Sequence, residues 1–294
     1  MARMNASGTG QLGPADTQQA ASSSASLLGR SPAATRRAFA AQISGSLPEH
    51  PQLILVMDLD GTLLGGTADQ RRRLYRWLED RRNQVLQIFC TGRDRASVRG
   101  LLAGDNGLPP PTPHLVISDV GCTVACGSSL NTVPIAVDPI DAQWQAVRPL
   151  LDGTLEGLAG LSPQLRSVER RYSFNYEPLV FDASILQSLE QLGVDCLLSD
   201  EQYLDVLPAG VNKGSTLLNL LALLDLPHGR VVTSGDTLND LSMFKTGLNG
   251  VMVGNAEPKL LALHPELENI YLAEAHGCAG IAEGLRHYGM DCPA

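Results

Sequence analysis

Five short apolar runs limit what this chain can fold into. Leu53–Met57 (LILVM), Val85–Cys90, Leu115–Ser118, Val231–Thr233 and Gly250–Val253 are partly β-branched and mostly bounded by Gly, Asp or Thr. Continuous runs of this length read as strands buried on both faces. Amphipathic helical patterns lie between them. Thr67-Ala-Asp-Gln70 has the form of a capping box and leads into Leu74, Trp77 and Leu78 on one face. Asn212–Leu224 spaces Leu217, Leu220, Leu221 and Leu224 helically, and Asn239–Thr246 reads as a shorter helix. The alternation predicts an α/β fold, a parallel sheet with helices on both sides. The middle breaks this rhythm. A helix is expected just after Pro139, a strand within Leu165–Tyr176, a helix over Ala183–Leu192, and strands at Val194–Leu198 and Gln202–Leu207. Residues 135–206 thus read as a small α+β insertion, splitting a core made of residues 49–134 and 207–294.

Residues 1–48 differ from the rest. They are rich in Ala, Ser, Gln and Gly, with Phe39 the sole aromatic. Such a segment buries too little surface to offset its ordering entropy, so a disordered extension is expected. Its Arg and Ser content also resembles an organellar transit peptide, but it has no apolar stretch like that of a secretory signal. The expected location is cytoplasmic, with an organelle as the alternative. The segment holds four Arg and one Asp, so the net charge of -9 places -12 on the remaining residues. That acidity argues against a nucleic-acid partner. No apolar run reaches the ~18 residues of a membrane span. Six cysteines without a CxxC pair suggest neither a disulfide scaffold nor a zinc site.

Four polar clusters follow strand ends. Asp58-Leu-Asp60-Gly61-Thr62 stands straight after LILVM. Ligands of open α/β sheets bind off the carboxyl ends of strands. Two carboxylates so close together there push one pKa up unless a cation lies between them. The pattern points to a divalent cation with oxygen ligands, most naturally Mg²⁺, and to a nucleophile beside a general acid/base. An Asp-Gly turn is the plainer alternative. Thr91-Gly92-Arg93 offers a hydroxyl and N–H groups that can hold a phosphate oxygen or simply cap a helix. Lys213 opens a helix in a chain with three lysines and nineteen arginines. A lysine there opposes the helix dipole, which suggests an anion ligand, or else an exposed side chain. Gly235-Asp236-Thr-Leu-Asn239-Asp240 again crowds acids at a strand end, as ligands or as caps.

In this order the clusters resemble the four motifs of the haloacid dehalogenase superfamily of phosphatases. The insertion resembles that superfamily's type IIB C2 cap. Tyr203–Pro208 with Asn212-Lys-Gly-Ser, and Gly250-Val-Met-Val-Gly-Asn255-Ala, resemble sucrose-phosphatase-like sugar phosphatases. The resemblance covers residues 50–265 and implies a Rossmann-like core with an inserted α+β cap. It implies that Asp58 attacks phosphorus and that Asp60 protonates the leaving alkoxide, then activates water. Thr91 and Lys213 would hold the non-bridging oxygens, helped by Gly92 and Arg93. Mg²⁺ would be bound by Asp58, the Asp60 carbonyl and Asp236. Asp240 would complete that acidic site and, with Asn239, support Lys213.

Arg170–Tyr176 matches the place where sucrose phosphatases look like Lys-x-Ser-Tyr-His. Arg171, Ser173 and Asn175 fall at the corresponding positions, so donors persist with altered geometry. The implied substrate is a phosphorylated sugar, disaccharide or glycoside, such as mannosylfructose phosphate or a glucosylglycerol-type compound. Gly121 and Cys122 fall on the loop that faces substrate in the family, although Cys122 is equally suited to small apolar filler. A glycosyltransferase supplying the substrate is the implied partner. A phosphomutase of the same superfamily, or a non-catalytic partner module, are the alternative functions.

Overall fold

The computed structural model describes residues 31–105, 107–164, 169–199 and 201–293. The chain opens with α1 (Pro32–Ala40), β1 (Leu53–Met57), α2 (Ala68–Asp80), β2 (Val85–Cys90), α3 (Arg95–Ala103), β3 (Leu115–Ser118) and β4 (Thr123–Cys126). Helix α4 (Pro134–Leu151) then leads to β5 (Leu161–Pro163), β6 (Tyr172–Tyr176), α5 (Ile185–Glu190), β7 (Val194–Ser199) and β8 (Tyr203–Pro208). The remainder is α6 (Lys213–Leu223), β9 (Val231–Gly235), α7 (Leu241–Phe244), β10 (Asn249–Met252), α8 (Pro258–Leu263), β11 (Ile270–Leu272) and α9 (Gly277–His287).

Seven strands form the core sheet in the order β11-β10-β9-β1-β2-β3-β4. Only β4 runs antiparallel to its neighbour. β1, β2 and β9 are buried along their whole length, which explains their unbroken apolar runs. One face packs Met57, Leu74, Trp77 and Ile281 together; the other packs Ile54, Val56, Leu217 and Leu220. β1 lies between β2 and β9. The polar residues that follow these three strands therefore meet at one edge of the sheet, however far apart they stand in the chain.

The second sheet is antiparallel, ordered β5-β6-β8-β7. Its apolar side covers Trp144, Phe174, Leu189 and Leu204. Helix α4 joins the two sheets. Ile135 and Val137 pack in the core cluster, while Trp144 and Leu151 pack under the second sheet. α4 begins at Pro134 rather than after Pro139, which lies inside it. Pro134 suits a first turn, and the packing of Ile135 and Val137 offsets the hydrogen bond that Pro139 cannot donate. The helix expected over Asn239–Thr246 is a 3₁₀ turn followed by the single turn of α7. The strand expected within Leu165–Tyr176 is β6; residues 165–168 lie outside the described ones.

The expectation of disorder through residue 48 fails over residues 31–48. Ser31 caps α1, Pro32 occupies its first turn, and Phe39 is fully buried against the Leu217–Leu224 side of the core. Gln42 accepts the Ile135 N–H at the start of α4 at 2.9 Å, and the Ser44 carbonyl accepts the Ser128 hydroxyl at 2.9 Å. One well-placed aromatic supplies what the average composition of the segment lacks. Residues 1–30, which carry most of that expectation, lie outside the described residues.

Candidate active site

Strand β1 ends at Met57, and the Asp58 N–H continues the ladder to the Ser234 carbonyl at 3.0 Å. The next loop turns back at Gly61, whose φ is +74°; a Cβ there would stand 2.0 Å from Asp236 Oδ2. Glycine is thus required for the β1 loop to lie against Asp236. The Thr62 hydroxyl donates to Asp236 Oδ1 at 2.6 Å, and Asn255 Nδ2 donates to the Gly61 carbonyl at 3.0 Å.

Lys213 lies at the first position of α6, with Asn212 capping the helix. Its ammonium is fully buried and donates to Asp58 at 2.7 Å, to Asn239 at 2.6 Å and to Asp240 at 2.6 Å. Burial disfavours its charge, but Asp240 and Asp58 outweigh burial and hold it protonated above the ordinary lysine range. The other Asp240 oxygen accepts the Asp236 and Thr237 N–H groups at 3.0 and 3.1 Å. Asp240 is therefore already engaged at both oxygens, steadying Lys213 and the turn after β9.

Ligand atoms of Asp58, Asp236 and Asp240 lie within 4.8 Å of one another. Three carboxylates facing one ammonium leave the group short of positive charge. Burial, followed by the charge of Asp240, raises the Asp58 carboxyl well above its usual range despite Lys213. Burial pushes Asp236 up to about 7; the Thr62 hydrogen bond opposes this and Asp240 adds to it. A site of oxygen donors that holds its carboxylates so reluctantly fits a hard divalent cation. The Asp60 carboxylate stands outside this group. It is turned to Arg93, which grips it through Nε at 2.8 Å and Nη2 at 2.6 Å.

A cleft of about 440 Å³ opens between Asp58 and the second sheet. It is lined by Asp58, Asp60, Gly92, Arg93, Arg171 and Asn239 among the expected residues. Thr91 is buried beside it, its hydroxyl accepting the Arg93 N–H at 3.1 Å. Arg171 ties the second sheet to the core. Its guanidinium donates to Asp205 at 2.7 Å and to the Gly92 carbonyl at 2.9 Å. Ser173 also donates to Asp205, at 2.5 Å.

Lys213, Asp236, Asp240 and Ser173 lie behind the lining rather than on it, and Asn175, Cys122 and Gly121 are also absent from it. Asn175, two residues beyond Ser173 on β6, pairs with the cleft residue Tyr203 but is itself exposed and outside the lining. Cys122 packs with Val120, Ile140, Leu207 and Val211, and burial pushes its thiol up. Gly121, at φ +108°, lets its loop touch the chain before Lys213: a Cβ there would lie 2.3 Å from the Asn212 carbonyl carbon. Its carbonyl accepts the Thr216 hydroxyl at 2.7 Å.

Asp205, Gln164, Ser199, Tyr203 and Val120 line the cleft without having been expected there. Asp205 carried a signal, a lone acid inside the apolar strand YLDVLP. Gln164 and Ser199 carried none, because their place follows from the pairing of the second sheet.

Acidic strand ends on a parallel sheet, a buried lysine and an overlying antiparallel sheet make up the fold of haloacid dehalogenase-like hydrolases. A Bacillus subtilis haloacid dehalogenase-like hydrolase shares the fold, with a TM-score of 0.58 at 19% identity over 86% of this chain and 98% of that one. The model of the sucrose-6F-phosphate phosphohydrolase family matches residues 51–289, and the chain belongs to that family. The structure of a Synechocystis sucrose-phosphatase in complex with sucrose and phosphate matches with a TM-score of 0.72 at 26% identity, over 81% of this chain and 98% of that one. A mannosylfructose-phosphate phosphatase of Agrobacterium fabrum is 30% identical over 82% of this chain and 98% of its own length. A glucosylglycerol-phosphate synthase of Pseudomonas anguilliseptica is 38% identical over 81% of this chain, but the match spans only 31% of that protein. Among the described residues no helix is long and apolar enough to cross a membrane.

Proposed function

We propose that the protein is a Mg²⁺-dependent phosphatase that hydrolyses the phosphomonoester of a small glycoside through an aspartyl-phosphate. The observation that carries this reading is the buried Asp58–Lys213–Asp240 cluster, from which Asp58 reaches the lining of a polar cleft. Asp58 attacks phosphorus, forming an Oδ–P bond as the bond from phosphorus to the leaving oxygen breaks. Asp60 gives its proton to that oxygen. In the second half Asp60 takes a proton from water, the water oxygen bonds phosphorus and the Oδ–P bond breaks, returning Asp58 and inorganic phosphate. Lys213, whose three N–H groups are held by Asp58, Asn239 and Asp240, would offset phosphoryl charge from behind Asp58, while the Gly92 turn lines the cleft. Asp58 and Asp236, with the Asp60 carbonyl, would hold Mg²⁺, which when bound supplies charge neutralisation for the phosphoryl group.

The cap-side lining of Gln164, Ser199, Tyr203 and Asp205 is rich in hydrogen-bonding groups, which suits a sugar leaving group. The relatives named for mannosylfructose phosphate and for glucosylglycerol-phosphate synthesis support a phosphorylated glycoside made by a glycosyltransferase. The test is phosphate release with Mg²⁺ from sucrose 6-phosphate, mannosylfructose phosphate and glucosylglycerol phosphate. Asp58→Asn is expected to abolish release while leaving the thermal transition in place. Turnover by that variant, or conversion of substrate to an isomer without free phosphate, would refute the assignment.

A further inference from the structure

Arg93 and Asp60 face each other across the mouth of the cleft in a two-point, fork-to-carboxylate contact at 2.8 and 2.6 Å. Among the described residues, Arg93 is the one side chain that hydrogen-bonds Asp60. The Asp60 side chain is otherwise open to solvent, 61% exposed, and would sample several rotamers if left alone. The turn carrying Arg93 is itself tied down. The Arg93 N–H donates to the Thr91 hydroxyl at 3.1 Å, and the preceding Gly92 carbonyl receives Arg171 Nη2 at 2.9 Å. Arg171 immediately precedes β6 of the second sheet, is buried, and is braced by Asp205 of β8 at 2.7 Å. A continuous set of contacts thus runs from Asp205 and Arg171 above the cleft, through the Gly92–Arg93 peptide, to the carboxylate of Asp60.

We propose that Arg93 is a positioning residue for Asp60 rather than a substrate ligand, and that Arg171 fixes the turn from which Arg93 reaches. The inference rests on the phosphatase reading above, in which Asp60 moves the proton. A planar guanidinium gripping both oxygens fixes the plane of the carboxylate, which a lysine cannot do. Each oxygen keeps a lone pair for the transferred proton. Proton delivery needs hydrogen-bond reach, and a displacement of about 1 Å costs on the order of 100-fold in rate. Seating of the second sheet then sets the aim of the acid/base group as well as enclosing the substrate.

The experiment uses the full chain with Mg²⁺ and the variants Arg93→Met, Arg93→Lys and Arg171→Met. Each is assayed on the glycoside phosphate that the unaltered protein hydrolyses, and on the early release of p-nitrophenolate from p-nitrophenyl phosphate, a leaving group that departs without a proton. Thermal transitions confirm that each variant is folded. Arg93→Met is expected to lower kcat on the glycoside phosphate about 100-fold while KM stays within a few-fold. Arg93→Lys is expected to recover little of that loss, and early p-nitrophenolate release should stay near that of the unaltered protein. Arg171→Met should shift kcat in the same direction by a smaller factor. A rise in KM with kcat retained would make Arg93 a substrate ligand and overturn the inference, as would equal losses on both substrates. Absence of turnover in the unaltered protein would overturn the phosphatase reading and this inference with it.

Discussion

Replacing Lys213 by Met tests whether the centre of the site is held by charge. The side chain keeps its length and apolar stem, so little cavity is created. What is lost is an ammonium with no solvent exposure and its three bonds to Asp58, Asn239 and Asp240 at 2.6–2.7 Å. Asn239 loses one hydrogen bond, which is worth about 1 kcal/mol. Asp240 keeps its two backbone donors at 3.0 and 3.1 Å. Asp58 loses its ammonium partner and stands beside Asp236 and Asp240 without it. Removing one member of a buried ion pair costs about 3–5 kcal/mol, because the other charge stays buried. Lys213→Met should therefore lose about 3–5 kcal/mol in urea unfolding with a chelator present. Millimolar Mg²⁺ should reduce that deficit, since the cation replaces part of the missing charge. A loss below about 1 kcal/mol in chelator would show that the three acidic groups do not depend on Lys213, and would refute the reasoning.

Other outcomes follow from single residues. Phe39→Ala should cost about 3–5 kcal/mol in chemical unfolding, because its ring is fully buried among Leu217, Leu220 and Leu221; no measurable change would separate α1 from the folded body. His114 is lowered to about 4, by burial first and by the charge of Arg82 second. Its neutral ring favours the fold above pH ~6.5, and about 2–3 kcal/mol of that stability should disappear as pH falls from 6.5 toward 4. A His114→Gln variant should show a flatter pH profile over this window in thermal unfolding. Gly121→Ala should lose about 1–3 kcal/mol, since φ is +108° and its Cβ would strike the Asn212 backbone. The displaced Asn212–Lys213 segment should also lower phosphate release, and full activity in that variant would argue against the close approach.

The site was legible where chemistry follows a strand end. Asp58, Asp236 and Lys213 each stand beside a short apolar run or at a helix start; the core sheet brings Lys213 within hydrogen-bond reach of Asp58 and ligand atoms of Asp58 and Asp236 within 4.8 Å of each other. The second sheet was less legible. β5 is mostly exposed, and α4 contains two internal prolines, Pro139 and Pro149, that argue against a helix. Cys122 could be read as a substrate neighbour from its loop or as small apolar filler; the loop's positive-φ residues Asp119, Val120 and Gly121 leave its thiol in an apolar cluster, the second of these.

By itself the sequence determined the α/β class, the strand ends that carry carboxylates and the crowding of negative charge there. These are local properties: period, composition and the repulsion of neighbouring charges. Only the tertiary structure decided which partner each group takes. Arg93 reaches Asp60 rather than open cleft, Arg171 reaches a core carbonyl, and Phe39 turns a composition that reads as disordered into a packed helix. The physical reason is that hydrogen bonds and packing act over a few ångströms in space, and here they join residues that stand tens to hundreds of positions apart in the chain.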